Sequence, residues 1–201
     1  MRLEKISLRK AVAAIRKHKR FLITAHTSPE GDSLGSELAF YHLLKKIGKA
    51  AVIVNEDPLP QEYNFMPQIN NIRLYRSRLK DFNFDCMAIL DCTDLSRTGQ
   101  VYKLNKDKKP IINIDHHISN NKFGVINWVD PKASSASEMI FRLYKAMRVP
   151  FDKDSALLLY VGMLTDTGSF RHSNTTGFTH KAAGELMRFG FDIRQIYKEI
   201  Y

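Results

Sequence analysis

The chain has 201 residues, 44% of them hydrophobic, enough to bury one sizeable core and too apolar for an intrinsically disordered segment. Its 31 Lys and Arg against 21 Asp and Glu leave a formal net charge of +10, which favours small anionic partners by long-range attraction without identifying one. No stretch reaches the roughly 18 to 20 apolar residues of a bilayer-spanning helix, and MRLEKISLRKAVAAIRKHKR at the start lacks a signal-peptide core, so a cytoplasmic location without a membrane partner is expected.

The first predicted element is a helix that ends in RKHKR, 16–20, a solvated basic face that suits a helix C-terminus better than a nucleic-acid patch. A strand, FLITAH (21–26), leads to a helix over 33–49 with Leu34, Leu38 and Tyr41 on one face, then a strand, AVIVN (51–55), and a turn-rich link, 56–71. CMAILD (86–91) reads as the third strand. Along an extended chain Cys86 and Cys92 lie too far apart to bridge, and both are expected as reduced thiols. Strands IINIDHH (111–117) and VINWV (125–129) follow, and then helical periods at 134–149, 154–164, 180–190 and 192–201. The alternation predicts an α/β fold: a mostly parallel five-stranded sheet flanked by helices, with a helical C-terminal part. Residues 1–201 read as one domain, ending at Tyr201 inside a helical pattern with the look of a linker helix.

In open α/β sheets ligands gather beyond the carboxyl ends of the strands. There the chain places His26, Glu30 and Asp32 after the first strand, Asp91 and Asp94 after the third, and Asp115, His116 and His117 after the fourth, with Asp166 ending the run ALLLYVGML. Each alone has a plainer reading: His26 as a hydrogen-bonded core residue, Asp32 as a helix cap, Asp94 as a turn former. Their recurrence at consecutive strand ends argues against those readings. Acids gathered this way need a positive partner, and apart from Arg97 and Arg171 the neighbouring sequence offers few cations. Carboxylates mixed with imidazoles suit Mn²⁺, Zn²⁺ or Fe²⁺, the oxygen-rich balance favours Mn²⁺, and six candidate ligands exceed the needs of one open site, so two ions are expected.

HTSPEGDSLGS, ILDCTDLSRTG, NIDHHISN and GMLTDTGSFRHSNTT resemble the four motifs of the DHH phosphoesterase superfamily, in their usual order, over nearly the whole chain from about residue 15. TDTGSFRHSNTT and THKAAGELMRFG are most similar to the bacterial nanoRNase group, which degrades very short oligoribonucleotides and dephosphorylates 3′-phosphoadenosine 5′-phosphate. The resemblance implies a cytoplasmic Mn²⁺-dependent phosphoesterase, with Mg²⁺ or another divalent metal as a substitute, acting on short RNA or a nucleotide phosphate. His26, the residue at 30 and Asp91 would hold one ion. Asp32, Asp91, His116 and Asp166 would hold the other, with Asp91 bridging. His117 would face the substrate phosphate, Asp115 would orient the imidazoles from behind, and Arg97, with Arg171, would neutralise phosphate oxygens during in-line attack by hydroxide held between the ions. Ser36 and the small residues 134–137 are left as packing or capping groups.

The chain departs from the family in two ways. Glu30 stands where aspartate is usual, which implies a displaced first metal, and no part of 1–201 resembles the glycine-rich C-terminal domain, with its basic recognition motif, that closes over the cleft in this family. The alternatives are a catalytically weakened nucleotide-binding module and a phosphodiesterase of cyclic dinucleotides. With no row of exposed aromatics among basic residues to serve as a stacking platform, long single-stranded RNA is not expected as a dedicated ligand, and no stable DNA complex is expected either.

Overall fold

The computed structural model describes residues 2–75 and 82–201. Among the described residues six strands form one sheet: β1 Arg20–Thr24, β2 Ala50–Asn55, β3 Ile72–Leu74, β4 Cys86–Leu90, β5 Ile111–Asp115 and β6 Ile126–Val129. Their order is β3-β2-β1-β4-β5-β6 and every neighbouring pair is parallel. The helices are α1 Arg2–Lys17, α2 Gly31–Lys46, α3 Ala136–Met147, α4 Lys153–Asp166, α5 Gly177–Met187 and α6 Ile193–Ile200. Among the described residues no helix is long and apolar enough to cross a membrane.

The expected five strands are all present, and β3 is a sixth. It escaped notice because it is short and lies at the sheet edge, with only Ile72 of its three residues buried, so no alternating pattern marks it. The central strands are buried on both faces, as a parallel sheet requires. Along β4 the two-residue period splits them: Cys86, Ala88 and Leu90 enter the large core under the helices, Met87 and Ile89 a smaller one on the opposite face. That smaller core, with Leu22, Val52, Val54 and Val101, lies under short 3₁₀ turns at Leu95–Thr98 and Val101–Leu104 instead of helices.

Helix α2 is buried almost all round, because α4 packs along it on the side away from the sheet. The approach is close enough that a Cβ at Gly35 would lie 2.5 Å from the Leu158 carbonyl oxygen. Caps fix the helix starts: Ser135 accepts from the Glu138 N–H at 3.0 Å, and Asp152 from the Ser155 N–H at 2.8 Å. The cap of α2 is Glu30. Asp32, expected as a possible cap, lies inside the first turn, and its carboxylate faces another helix.

The order of the strands positions the site. From β1 the chain steps outward through β2 to β3, then returns to lay β4 on the other side of β1 and continues through β5 to β6. The loops leaving β1 and β4 therefore diverge and open a crevice at the carboxyl edge between them. The backbone ties its walls together, since the Thr27 N–H donates to the Arg97 carbonyl at 2.7 Å.

Candidate active site

Asp91, the first residue past β4, adopts φ +50°, a left-handed conformation that aspartate tolerates better than most side chains. The turn brings its buried carboxylate into the crevice, where the two oxygens face different partners. Oδ2 lies 3.5 Å from His26 Nε2, and Oδ1 lies 3.5 Å from His116 Nε2. Asp91 thus stands between the histidines delivered by β1 and β5.

Asp32 and Asp166 complete the far side. His116 Nε2 is 3.6 Å from Asp166 Oδ2 and 3.9 Å from Asp32 Oδ2, and ligand atoms from Asp32, His116 and Asp166 all lie within 4.8 Å of one another. A second group, Asp91, Asp115, His116 and His117, meets the same limit. The Asp32 carboxylate is aimed by the start of α3, whose Ala136 and Ser137 N–H groups donate to its Oδ2 and Oδ1 at 2.6 and 2.8 Å. Gly162 on α4 makes room for it, because a Cβ there would collide with Ser137 Oγ and come within 2.8 Å of Asp32 Oδ1.

Whether these residues fit a cation is tested by two atoms. Asp91 Oδ1 and His116 Nε2 are both buried and both lack a hydrogen-bond partner among the described residues. Their 3.5 Å separation exceeds a good N–H···O bond. It matches the spacing of two ligands on one ion, roughly 3.0 to 3.5 Å for bonds of about 2.1 Å. The titration behaviour agrees. Burial opposes protonation of His26 and His116, yet Asp91 outweighs it for both, with Asp32 and Asp166 adding to the pull on His116; His26 rises to about 9 and His116 to about 10. Burial would raise Asp91, but His116 and His26 hold it well below the usual carboxylate range. Burial, reinforced by Asp91, pushes Asp166 up to about 6, and burial with the charges of Asp91 and Asp166 pushes Asp32 up as well. The cluster demands positive charge and takes protons where no other cation is supplied.

His117 plays a different part. It is half-buried, and its Nδ1 lies 2.7 Å from Asp115 Oδ1, a hydrogen bond that is the main cause of its raised pKa. Asp115 is fully buried. It also accepts the His116 N–H at 2.9 Å on Oδ1 and Asn120 Nδ2 at 2.6 Å on Oδ2. With Nδ1 committed to Asp115, Nε2 is the nitrogen left for a substrate.

Of the remaining expected residues, Glu30 is exposed at the start of α2 and, like His26, lies outside both ligand groups, though its charge acts on Asp166. Arg97 is exposed on the 3₁₀ turn past Asp94 and approaches Thr93 Oγ1 at 3.5 Å. Arg171, also exposed, bonds back to the Gly168 carbonyl at 2.8 Å. Asp94 takes the plainer role of a turn former that the recurrence argued against, accepting the Ser96 N–H at 2.7 Å. Cys86 and Cys92 are free, buried thiols, both pushed up to about 12 by burial.

Two residues were missed. Asn120 holds Asp115, and Asn174 donates to the Ser134 carbonyl and to both the carbonyl and carboxylate of Asp166. Both lie inside the motif stretches already singled out. A buried amide three residues past paired histidines was the available signal, but its target could not be read from spacing.

The chain is similar to known proteins along most of its length. Residues 20–163 match the DHH family, N-terminal domain. The bifunctional oligoribonuclease and PAP phosphatase NrnA of Thermus thermophilus is 31% identical over 179 residues, covering 87% of this chain and 51% of that protein. Its Bacillus subtilis namesake is 25% identical, covering 94% and 59%. The chain thus spans little more than half the length of these relatives. A solved exopolyphosphatase-related protein from Bacteroides fragilis superposes with a TM-score of 0.90 at 29% identity, over 98% of this chain and 60% of that one. With the match to the family's N-terminal domain covering both histidine-bearing strand ends and most of α4, this chain belongs to the DHH family.

Proposed function

We propose that the chain is the catalytic domain of a metal-dependent phosphoesterase that hydrolyses short oligoribonucleotides or 3′-phosphoadenosine 5′-phosphate. The observation that carries the reading is the buried Asp91 carboxylate between His26 and His116, with Oδ1 and the facing His116 Nε2 both left without partners. The substrate class is that of the Thermus and Bacillus relatives, named for oligoribonuclease and PAP phosphatase activity.

Mn²⁺ suits the site because carboxylate oxygens outnumber imidazoles. His26 and Asp91 would hold one ion, with Glu30 its only other expected ligand, and Asp91, Asp32, His116 and Asp166 the second. When bound, two such ions supply Lewis acidity to an attacking water and to the phosphoryl and leaving oxygens. The protein's own groups do the rest. Asp32 and Asp166 are held in place by amide donors and keep their oxygens aimed inward. Asp115 fixes the His117 ring and favours its protonated form, so Nε2–H donates to a phosphate oxygen. Arg97, exposed at the rim, supplies a second cationic donor and Arg171 a third.

The test is Mn²⁺-dependent release of mononucleotide from a 5′-phosphorylated diribonucleotide, and of phosphate from 3′-phosphoadenosine 5′-phosphate, with Asp91→Asn purified in parallel. Asparagine keeps the left-handed turn, so the variant should fold and lose turnover. Wild-type rates in the variant would sink the assignment. A second reading, a nucleotide-binding module weakened in turnover, is favoured by the exposure of Glu30, and retained Mn²⁺ and nucleotide affinity without turnover would select it.

A further inference from the structure

Beneath the metal-ligand candidates lies a string of charges that the reaction does not use. Glu138, in the first turn of α3, is fully buried. Its Oε2 accepts Ser134 Oγ at 2.8 Å and Thr179 Oγ1 at 2.7 Å, and its Oε1 accepts Arg142 Nη2 at 2.5 Å. Arg142 then reaches Asp130 Oδ2 at 2.8 Å through Nη1, and its guanidinium lies 4.7 Å from the Phe178 ring centroid. Asp130 follows β6, and its N–H donates to the Asp115 carbonyl at 3.0 Å. One string therefore joins the end of β6, the start of α3 and the start of α5.

Its output is the entry to α3, residues 134–137. The first two residues of the helix send the Ala136 and Ser137 N–H groups to Asp32, and the Ser134 carbonyl just before it accepts Asn174 Nδ2 at 2.9 Å, the same amide that donates to Asp166. Two of the three residues in the Asp32, His116, Asp166 group are thus held through a segment that Glu138 holds. A buried ion pair adds little net stability compared with an apolar replacement, because desolvation offsets the attraction. Its directionality, with every Glu138 oxygen committed to a named donor, serves to fix geometry instead.

We propose that Glu138, anchored by Arg142 and Asp130, is a positioning residue that sets the spacing of Asp32, His116 and Asp166 and thereby the affinity of that group for a divalent ion. This rests on the reading of the group as a metal site. Removing the charge in Glu138→Gln loosens Arg142 and gives the Ser134 and Thr179 hydroxyls a weaker acceptor, so the entry to α3 and its two N–H donors drift.

The experiment is direct titration of the metal-free 201-residue chain with Mn²⁺, following free ion by electron paramagnetic resonance, for wild type, Glu138→Gln, Ser134→Ala and Tyr144→Phe. Tyr144→Phe is the control: it removes a buried hydrogen bond to the Ala39 carbonyl farther along the same helix, away from its entry. The expected result is affinity weakened about 10-fold or more in Glu138→Gln and less in Ser134→Ala, unchanged in Tyr144→Phe, with turnover of Glu138→Gln recovering at high Mn²⁺. If Glu138→Gln does not fold, Ser134→Ala decides. Unchanged affinity in the variants, or equal weakening in Tyr144→Phe, overturns the positioning role and leaves the metal site standing. No Mn²⁺ binding by wild type overturns the metal-site reading and this proposal with it.

Discussion

His117 is held by Asp115, and Asp115 by Asn120, so one buried amide controls which imidazole nitrogen faces outward. Asn120→Ala removes that donor along with its bonds to the Cys92 carbonyl and Asn113. Turnover should fall about 10- to 100-fold, while Mn²⁺ affinity changes little, because Asn120 touches none of His26, Asp32, Asp91, His116 or Asp166. Parallel measurement of kcat and Mn²⁺ affinity separates the effects; a loss confined to affinity would place Asp115 among the ligands. At Glu30 the change runs the other way. The residue caps α2, and aspartate is a better cap than glutamate, so Glu30→Asp should gain about 0.5 to 1 kcal/mol in denaturant unfolding and keep or raise turnover. A large drop in turnover would mean that the site uses the longer side chain as it stands.

At the level of elements, α2 and α4 approach closely enough that the site depends on their small residues. Gly162→Ala puts a methyl group where Ser137 Oγ lies and within reach of Asp32 Oδ1. The expected loss is about 1 to 3 kcal/mol of stability, seen as a lower melting temperature, together with weaker Mn²⁺ binding. Normal binding in a destabilised variant would show that Asp32 can shift without harm. The helices over 33–49, 134–149, 154–164, 180–190 and 192–201 were all legible from periodicity, with boundaries displaced by up to three residues, since end residues obey caps more than period. The direction of the Asp32 side chain was not legible: its donors lie 104 and 105 residues away.

For the molecule as a whole, the crowding of acids makes stability depend on pH. His26 ordinarily titrates near 6.5 and rises to about 9 in the fold, so its contribution is complete below about 6.5 and is lost as pH climbs through about 9. Asp32, raised by burial, acts in the same direction, whereas depressed Asp91 loses its contribution only in acid. With His116 raised to about 10 in the same way, the metal-free chain should therefore melt at progressively lower temperature from about pH 6.5 to about pH 10. Saturating Mn²⁺ should flatten that slope, since a bound ion replaces the protons. A flat profile in the metal-free chain would contradict the charge crowding of His26 and His116 against Asp91.

The α/β class, the parallel sheet and the residues brought to its carboxyl edge could all be read along the chain, because apolar runs and the polar residues that end them are local properties. His26, Asp91 and His116 announced themselves as strand-end residues before any fold was known. Which atoms meet was decided elsewhere. The strand order that sets β4 beside β1, the two faces of the Asp91 carboxylate and the bond that ties Thr179 to Glu138 all depend on contacts between distant segments. Hydrogen bonds spanning forty to a hundred residues leave no periodic trace, and only the closed structure brings their ends together.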